Sequence, residues 1–489
     1  MKNWPLETGV LHFTGIGGIG MSGIAEILHR LGYKIQGSDI KDSANAERLR
    51  DQGIKVFIGH DGDYIKKPES GGRSIDAVIY SSAVKPDNPE LVAAEDRGIP
   101  VIRRAEMLGE LMRFKNSIAV AGTHGKTTTT SLVGHVMEQA GLDPTVVNGG
   151  IVNAYGTNIR IGESDWMVVE TDESDGSFTL LPSSIGIITN IDPEHMDHYG
   201  SFAEVKEAYK KFAARLPFYG FLIACADSDA VKKLIEDVRR KTFTYGFSEG
   251  SDIRATNLRN TADGMVFDVS LNGGGKPLND VLLPMFGRHN VLNALACIAV
   301  CHKIGVSGES IRTALGSFTG VKRRFTTTGV VNGIRIIDDY AHHPEEIKAV
   351  LGTARDILRR ESKGGRVIAV MQPHRYSRLA GLFDDFCRSF DAADHVLVAD
   401  VYTAGEQPIA GADKNTLVQG IRKTGHKSAE ALVGPQDVPR LVRKIAKEHD
   451  LVIFLGAGDV TNWAYALPSQ LADPEDRKDD TSEKLADAV

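Results

Sequence analysis

Three times along this chain an apolar run of strand length ends in a glycine-rich or polar turn and passes straight into a helix-periodic stretch. The segments are Val10–Leu28, Ser117–Met137 and Arg335–Leu351. A strand that turns directly into a helix opens a βαβ unit, so three well-separated openings predict an α/β chain built on more than one parallel sheet. With 489 residues the chain has room for about three domains of ordinary size. The predicted boundaries are 1–104, 105–320 and 321–467, with a tail at 468–489. That tail holds seven acidic and three basic residues and shows no apolar period, so it is expected to be disordered. The stretch Ala255–Pro284 reads as a β-rich insertion with Asn, Gly and Asp turns.

Charge and cysteine content exclude several classes. Lys and Arg number 57 against 64 Asp and Glu, a net charge of −7, which argues against a nucleic-acid partner. No run of 18 apolar residues exists to insert into a membrane. The start of the chain lacks a basic, apolar leader. Four cysteines are too few for a disulfide framework, and a reduced, cytoplasmic protein is expected. Cys297 and Cys301 share a helical face and are read as core thiols.

The richest motif is Gly122-Thr123-His124-Gly125-Lys126-Thr127-Thr128, after the apolar strand Ile118–Ala121. Glycines allow a tight loop whose amides meet phosphate, and the helix that follows adds its positive end. Lys126 is placed for the β- and γ-phosphates and the Thr127 hydroxyl for a metal. The common phosphate loop has glycine six residues before its lysine; here that position is Val120. Two further strand patterns end in acids. Trp166–Glu170 runs into Asp172-Glu173-Ser174-Asp175, and Ile185–Asp192 runs into Pro193-Glu194-His195. One acidic cluster is usually a solvated turn, but two at consecutive strand ends beside a phosphate loop suit Mg²⁺.

The first loop, Gly15-Ile16-Gly17-Gly18-Ile19-Gly20, follows a strand and has Asp39 about 20 residues on, the pattern of a dinucleotide site. Taken alone it predicts a nicotinamide-dependent oxidoreductase. Ser81 and Ser82 follow the strand Ala77–Tyr80 and serve equally as ligands or caps. Toward the C-terminus, Asp339-Tyr340-Ala341-His342-His343-Pro344 and Gln372-Pro373-His374-Arg375-Tyr376-Ser377-Arg378 each follow a buried-strand pattern. His, Arg and Arg at a strand end suit a carboxylate or phosphate; a solvated basic turn is the plainer alternative.

FTGIGGIGMSGIAEIL, AGTHGKTTTT, TDESDGSF, TNIDPEHMDHYGSF, GRHNVLNALA, DDYAHHPEEI and QPHRYSRL occur in this order. Together they resemble the Mur ligases, over about residues 8–465, and look most like the branch that adds L-alanine. The resemblance implies three domains: a Rossmann-like UDP-binding domain, a central ATPase domain of P-loop type and a C-terminal Rossmann-like domain. It implies that ATP and Mg²⁺ drive the joining of L-alanine to UDP-N-acetylmuramate in peptidoglycan synthesis, by a monomer or weak homodimer. Lys126, Glu170 and His195 would be catalytic, with Thr127 and Glu170 on one Mg²⁺ and His195 on a second. Gly122 to Thr128 would hold the ATP phosphates. His289, Asn290 and Asn293 would lie toward adenine, in a stretch otherwise read as a capped helix start. Gly15, Gly17, Gly18, Gly20, Asp39, Ser81 and Ser82 would bind the UDP-substrate, and Tyr340, His342, His374, Arg375 and Arg378 the amino acid. Thr171 stands where the family usually has Ala.

Three other readings fit parts of the sequence: a recycling ligase that attaches a whole peptide, disfavoured by the intact Gly17-Gly18; the oxidoreductase, which leaves the second nucleotide loop unexplained; and a non-catalytic nucleotide switch, which leaves the strand-end clusters unexplained. Other Mur ligases carry a carbamylated lysine, a role that Lys210 invites. The buried period Phe202, Val205, Tyr209 and Phe212 leaves Lys210 at its margin, so an unmodified amine is expected.

Overall fold

The computed structural model describes residues 9–66, 74–81, 83–152, 157–272 and 274–472. The chain forms two compact units that divide between Gly320 and Val321. The first unit carries two sheets and the second carries one.

The first sheet is wholly parallel. Its strands are β1 (Val10–Thr14), β2 (Lys34–Asp39), β3 (Lys55–Ile58), β4 (Ile75–Tyr80) and β5 (Val101–Arg103), in the order β3-β2-β1-β4-β5. The order reverses between β1 and β4, which opens a crevice at their C-terminal ends. The first glycine loop leaves β1 there, and Ser81 leaves β4 beside it: the Ser81 amide donates to the Thr14 carbonyl at 3.2 Å.

The second sheet has ten strands. They are β6 (Asn116–Ala121), β7 (Thr145–Val152), β8 (Thr157–Arg160), β9 (Trp166–Glu170), β10 (Ile185–Ile188), β11 (Phe221–Cys225), β12 (Thr242–Gly246), β13 (Ile253–Asn260), β14 (Met265–Leu271) and β15 (Leu278–Leu283). Their order is β15-β14-β13-β12-β11-β10-β6-β9-β7-β8. β6 is central, parallel to β10 on one side and to β9 on the other. Ile118 to Ala121 are fully buried, as a parallel strand covered on both faces requires. The β-rich stretch is no separate module: β13 pairs with β12 at Tyr245 and Ile253, so its antiparallel strands extend the same sheet.

The second unit holds β16 (Thr326–Val331), β17 (Ile334–Asp339), β18 (Val367–Met371), β19 (His395–Val398), β20 (Ala429–Ala431) and β21 (Leu451–Leu455), ordered β16-β17-β21-β18-β19-β20. β16 and β17 form a hairpin, and the remaining neighbours are parallel.

One boundary is corrected. The helix Val460–Ala472 runs through Pro468, so the first five residues of the expected tail are helical. Ala464, Leu467 and Leu471 are buried along one face, and the apolar period therefore reaches further than the surrounding charge suggested. Residues 473–489 lie outside the described residues, as does Ser82. All four cysteines are buried and free, with Cys297 and Cys301 sulfurs 3.9 Å apart within the helix Arg288–Lys303. No helix among the described residues is long and apolar enough to cross a membrane.

Candidate active site

The Gly122–Thr128 loop leaves β6 between the ends of β9 and β10, and both neighbours hold it. Asn190 Oδ1 accepts the His124 amide at 2.7 Å, and the Asn190 carbonyl accepts the Thr123 amide at 3.1 Å. Thr189 Oγ1 donates to the His124 carbonyl at 2.7 Å. Gly125 caps the helix Lys126–Gln139 in the left-handed region, φ 81°. A Cβ there would stand 2.4 Å from Asn293 Oδ1, so glycine is required twice over. The first intrahelical bond runs from the Thr129 amide to Gly125, which leaves the first-turn amides to point outward at an anion.

Lys126 Nζ donates to Glu173 Oε1 at 2.7 Å and to the carbonyls of Gly122 and Thr123 at 2.6 and 3.0 Å. Burial alone would lower its pKa, but the Glu173, Glu170 and Glu194 carboxylates outweigh burial and hold the amine above its ordinary value. The Thr127 hydroxyl donates to Glu170 Oε1 at 2.9 Å, while the Gly149 amide reaches Glu170 Oε2 at 2.6 Å. Val120, where a longer phosphate loop has glycine, is a fully buried strand residue; its carbonyl takes the Thr171 amide and hydroxyl at 3.0 and 3.1 Å.

His195 gathers with Glu173 and Glu194, one donor atom of each lying within 4.8 Å of the others. His195 adopts a left-handed φ of 57° to begin the short helix Met196–Tyr199, a conformation worth about 1–3 kcal/mol of strain in a residue other than glycine. Burial pushes the Glu173 carboxyl up to about 7 against the pull of Lys126, and its Oε2 is buried with no hydrogen-bond partner among the described residues. A buried carboxylate oxygen left over, a second carboxylate and an imidazole fit a small divalent cation.

Asn290 and Asn293 are buried in the first turns of Arg288–Lys303 and bonded to one another at 3.3 Å. Asn293 also takes the Thr129 hydroxyl at 3.3 Å, tying this helix to the loop. His289 is half-buried beside them and Thr128 is buried.

In the first loop the leading amides are already engaged. Those of Gly15 and Ile16 donate to the Ser38 carbonyl at 2.8 and 2.9 Å, and that of Gly17 to Asp39 Oδ2 at 2.8 Å. Gly18 caps the helix Ile19–Arg30. An anion would therefore meet the first turn of that helix, at Ile19 and Gly20, rather than the Gly15–Gly17 amides, and Asp39 orders the turn. Ser81 Oγ accepts the Ala83 amide at 3.4 Å and its carbonyl the Val84 amide at 2.9 Å, so it opens a turn and caps no helix; Asn88 caps the helix Pro89–Glu95. Arg104 lies against Gly20 and pairs with Asp172 at 3.1 Å, between this loop and the acidic segment.

In the second unit, the rings of Tyr340 and His342 are 5.2 Å apart, those of His342 and His374 5.9 Å, and His374 stacks on Tyr402 at 5.3 Å. Arg378 Nη1 reaches His374 at 3.3 Å, and Arg375, at a left-handed φ of 71°, donates its backbone N–H to the Tyr402 carbonyl at 2.9 Å. Glu173, Glu194, Tyr402 and Arg104 were not singled out from sequence. Glu173 and Glu194 stand within the acidic runs that follow β9 and β10, and the turns there set which acid faces inward.

Family comparisons match three successive stretches: the Mur ligase family catalytic domain over residues 10–116, the Mur ligase middle domain over 120–301 and the Mur ligase glutamate ligase domain over 323–458. The UDP-N-acetylmuramate–L-alanine ligase of Brucella ovis is 54% identical over 473 residues, 96% of this chain and 98% of that protein. The chain belongs to the Mur ligase family. The enzyme of the same name from Rhodospirillum rubrum is 55% identical over 487 residues, covering 99% of each chain. Among solved structures, this Mur ligase is similar to the UDP-N-acetylmuramate–alanine ligase of Thermotoga maritima, with a TM-score of 0.76 and 29% identity over 95% of this chain and 99% of that one.

Proposed function

We propose that this Mur ligase joins L-alanine to the carboxylate of UDP-N-acetylmuramate, with ATP converted to ADP and phosphate through an acyl phosphate. The observation that carries the reading is the Lys126 constellation: one buried amine, the Thr127–Glu170 pair and the Glu173–Glu194–His195 cluster at adjacent strand ends of a chain whose near-full-length relatives bear that name.

The first turn of Lys126–Gln139 receives the ATP phosphates, with Gly122, Thr123, His124, Gly125 and Thr128 shaping the cradle. Asn290 and Asn293 set the helix that flanks the nucleotide, with His289 beside them. The UDP-substrate lies on the Ile19–Arg30 helix start, shaped by Gly15, Gly17, Gly18 and Gly20. The muramate carboxylate attacks the γ-phosphorus, ADP leaves, and Lys126 stabilises the charge spread over the transferring oxygens. The neutral amine of L-alanine then attacks the acyl carbon and phosphate departs. Mg²⁺ held by Glu173, Glu194 and His195, and by Thr127 and Glu170, would supply charge neutralisation at the phosphates. Tyr340, His342, His374, Arg375 and Arg378 of the second unit bind the amino acid. The protein works in the cytoplasm as a monomer or weak homodimer.

Mass spectrometry of a reaction with carboxylate-¹⁸O UDP-N-acetylmuramate tests this. The amide product and one ¹⁸O in the released phosphate are expected. Label retained wholly in the product would contradict an acyl phosphate.

A further inference from the structure

Beneath the first glycine loop lies a polar cluster that no step above uses. His12, Thr14, Gln36, Ser38 and Glu90 are each at most 2% exposed. Glu90 stands in the first turn of the helix Pro89–Glu95, and its carboxylate reaches the two strands that flank the loop. Glu90 Oε2 accepts from His12 Nε2 at 2.9 Å, Thr14 Oγ1 at 2.7 Å and Ser38 Oγ at 2.7 Å. Oε1 takes the Asp61 amide at 3.3 Å and faces His60 Nδ1 at 3.4 Å.

The protons in this cluster follow from its acceptors. Gln36 Nε2 lies 3.1 Å from both His12 Nδ1 and the Tyr64 carbonyl. A carbonyl only accepts, so Gln36 turns its NH₂ that way. His12 Nδ1 must then accept, and His12 Nε2–H donates to Glu90. Ser38, donating to Glu90, offers its lone pair to His60 Nδ1 at 2.9 Å. Burial pushes the Glu90 carboxyl up, but the His12, Thr14 and Ser38 donors outweigh it and leave the group below its ordinary value.

A buried carboxylate is an expensive way to fill space, and apolar side chains of similar volume usually serve stability as well or better. What this one joins is specific. Thr14 ends β1 and Ser38 lies next to the end of β2. The Ser38 carbonyl holds the Gly15 and Ile16 amides, Thr14 accepts from Ser81, and Asp39, the next residue, holds Gly17. The bonds made by the Gly15, Ile16 and Gly17 amides are thus anchored on a residue tied to Glu90 or adjacent to one, while Asn45 Nδ2 donates to the Gly17 carbonyl at 2.9 Å from outside that set.

We propose that Glu90 is a positioning residue for the UDP-substrate: by drawing the Thr14 and Ser38 side chains to one carboxylate it fixes the ends of β1 and β2, and through them the direction in which the Ile19–Arg30 helix presents its first-turn amides to the diphosphate. The inference rests on the reading of Gly15–Gly20 as the UDP-substrate loop.

Kinetics and calorimetry on the full-length protein separate the two. Wild-type protein that fails to bind UDP-N-acetylmuramate would overturn that reading and this inference with it. Where wild type binds, Glu90→Gln should raise KM for UDP-N-acetylmuramate about tenfold, the scale of one lost charged hydrogen bond. Its kcat and KM for ATP should stay within about twofold. Ser38→Ala should raise the same KM alone, yet add little on the Glu90→Gln background, because both remove one linkage. An unchanged KM for the UDP-substrate, or a KM for ATP that rises in step with it, would overturn the proposal while leaving the loop reading intact. Should Glu90→Gln fail to fold, Thr14→Val and Ser38→Ala carry the same test: a selective rise supports the inference, and unchanged values sink it.

Discussion

The two glycine loops stand on the same strand–turn–helix unit and use it differently. Both commit their leading amides to a neighbouring strand end: Gly15, Ile16 and Gly17 to Ser38 and Asp39, and Thr123 and His124 to Asn190. Both thereby aim a helix N-terminus outward. The second adds an amine and a hydroxyl, each set on a carboxylate: Lys126 on Glu173, Thr127 on Glu170; at the first, Asp39 holds the Gly17 amide and Arg104 lies against Gly20. On the function proposed above, the first loop holds the diphosphate of the UDP-substrate and the second moves a phosphoryl group. A glycine pattern reports where a phosphate sits; the charged residues around it report whether chemistry follows.

The comparison breaks most directly at Lys126. Lys126→Ala should lower kcat about a thousandfold or more, on the order of 4 kcal/mol for a lost transition-state charge partner. Calorimetric affinity for UDP-N-acetylmuramate should be unchanged; its loss would show that the loops do not divide the work. The reverse substitution sharpens the contrast. A Cβ on Gly17 would stand 2.8 Å from Ser43 Oγ and 2.9 Å from Asp39 Oδ2. Gly17→Ala should therefore raise KM for the UDP-substrate about tenfold with KM for ATP unaffected, since a displaced turn forfeits about one hydrogen bond of binding. Equal effects on both constants would erase the distinction.

A smaller effect concerns the strand-end cluster of the second unit. Burial, together with the charges of His342, Arg378 and Arg375, pushes His374 down to about 3. The unfolded chain takes up a proton below about pH 6.5 that the folded imidazole refuses, so stability is full above that pH and falls as pH drops toward 3. The His374 imidazole resonance should not titrate between about pH 5 and 8. A midpoint near 6.5 would mean that the ring is solvated and the cluster looser than its ring contacts show. The smallest effect is expected at Lys210. Its amine pairs with Asp237 at 2.7 Å on an exposed face, and exposed pairs contribute about 0–1 kcal/mol. Lys210→Ala should leave kcat within about twofold, with no bicarbonate rescue. A large loss restored by bicarbonate would place a carbamate in the second site after all.

What sequence made legible follows chain locality. Gly122–Thr128 could be read because strand, turn and helix are contiguous and the chemistry lies in seven consecutive residues. The pairing of Thr127 with Glu170 crosses 43 positions, but each ends or follows a strand, and parallel topology brings strand ends together. The Glu173–Glu194–His195 grouping was less accessible. It depends on which way two acidic turns face, and on a left-handed histidine that no residue preference signals. The Glu90 cluster was invisible: His12 and Glu90 are 78 positions apart, and each reads alone as an ordinary strand or helix residue. Leu471 misled in the other direction, since surrounding charge hid the last apolar turn of a helix.

Release of ADP, followed while each co-substrate is omitted in turn, tests the central claim most directly. Appreciable release should require ATP, UDP-N-acetylmuramate and L-alanine together, with wild-type protein and not with Lys126→Ala. Equal release in the absence of UDP-N-acetylmuramate and L-alanine, or none with all three present, would contradict the account.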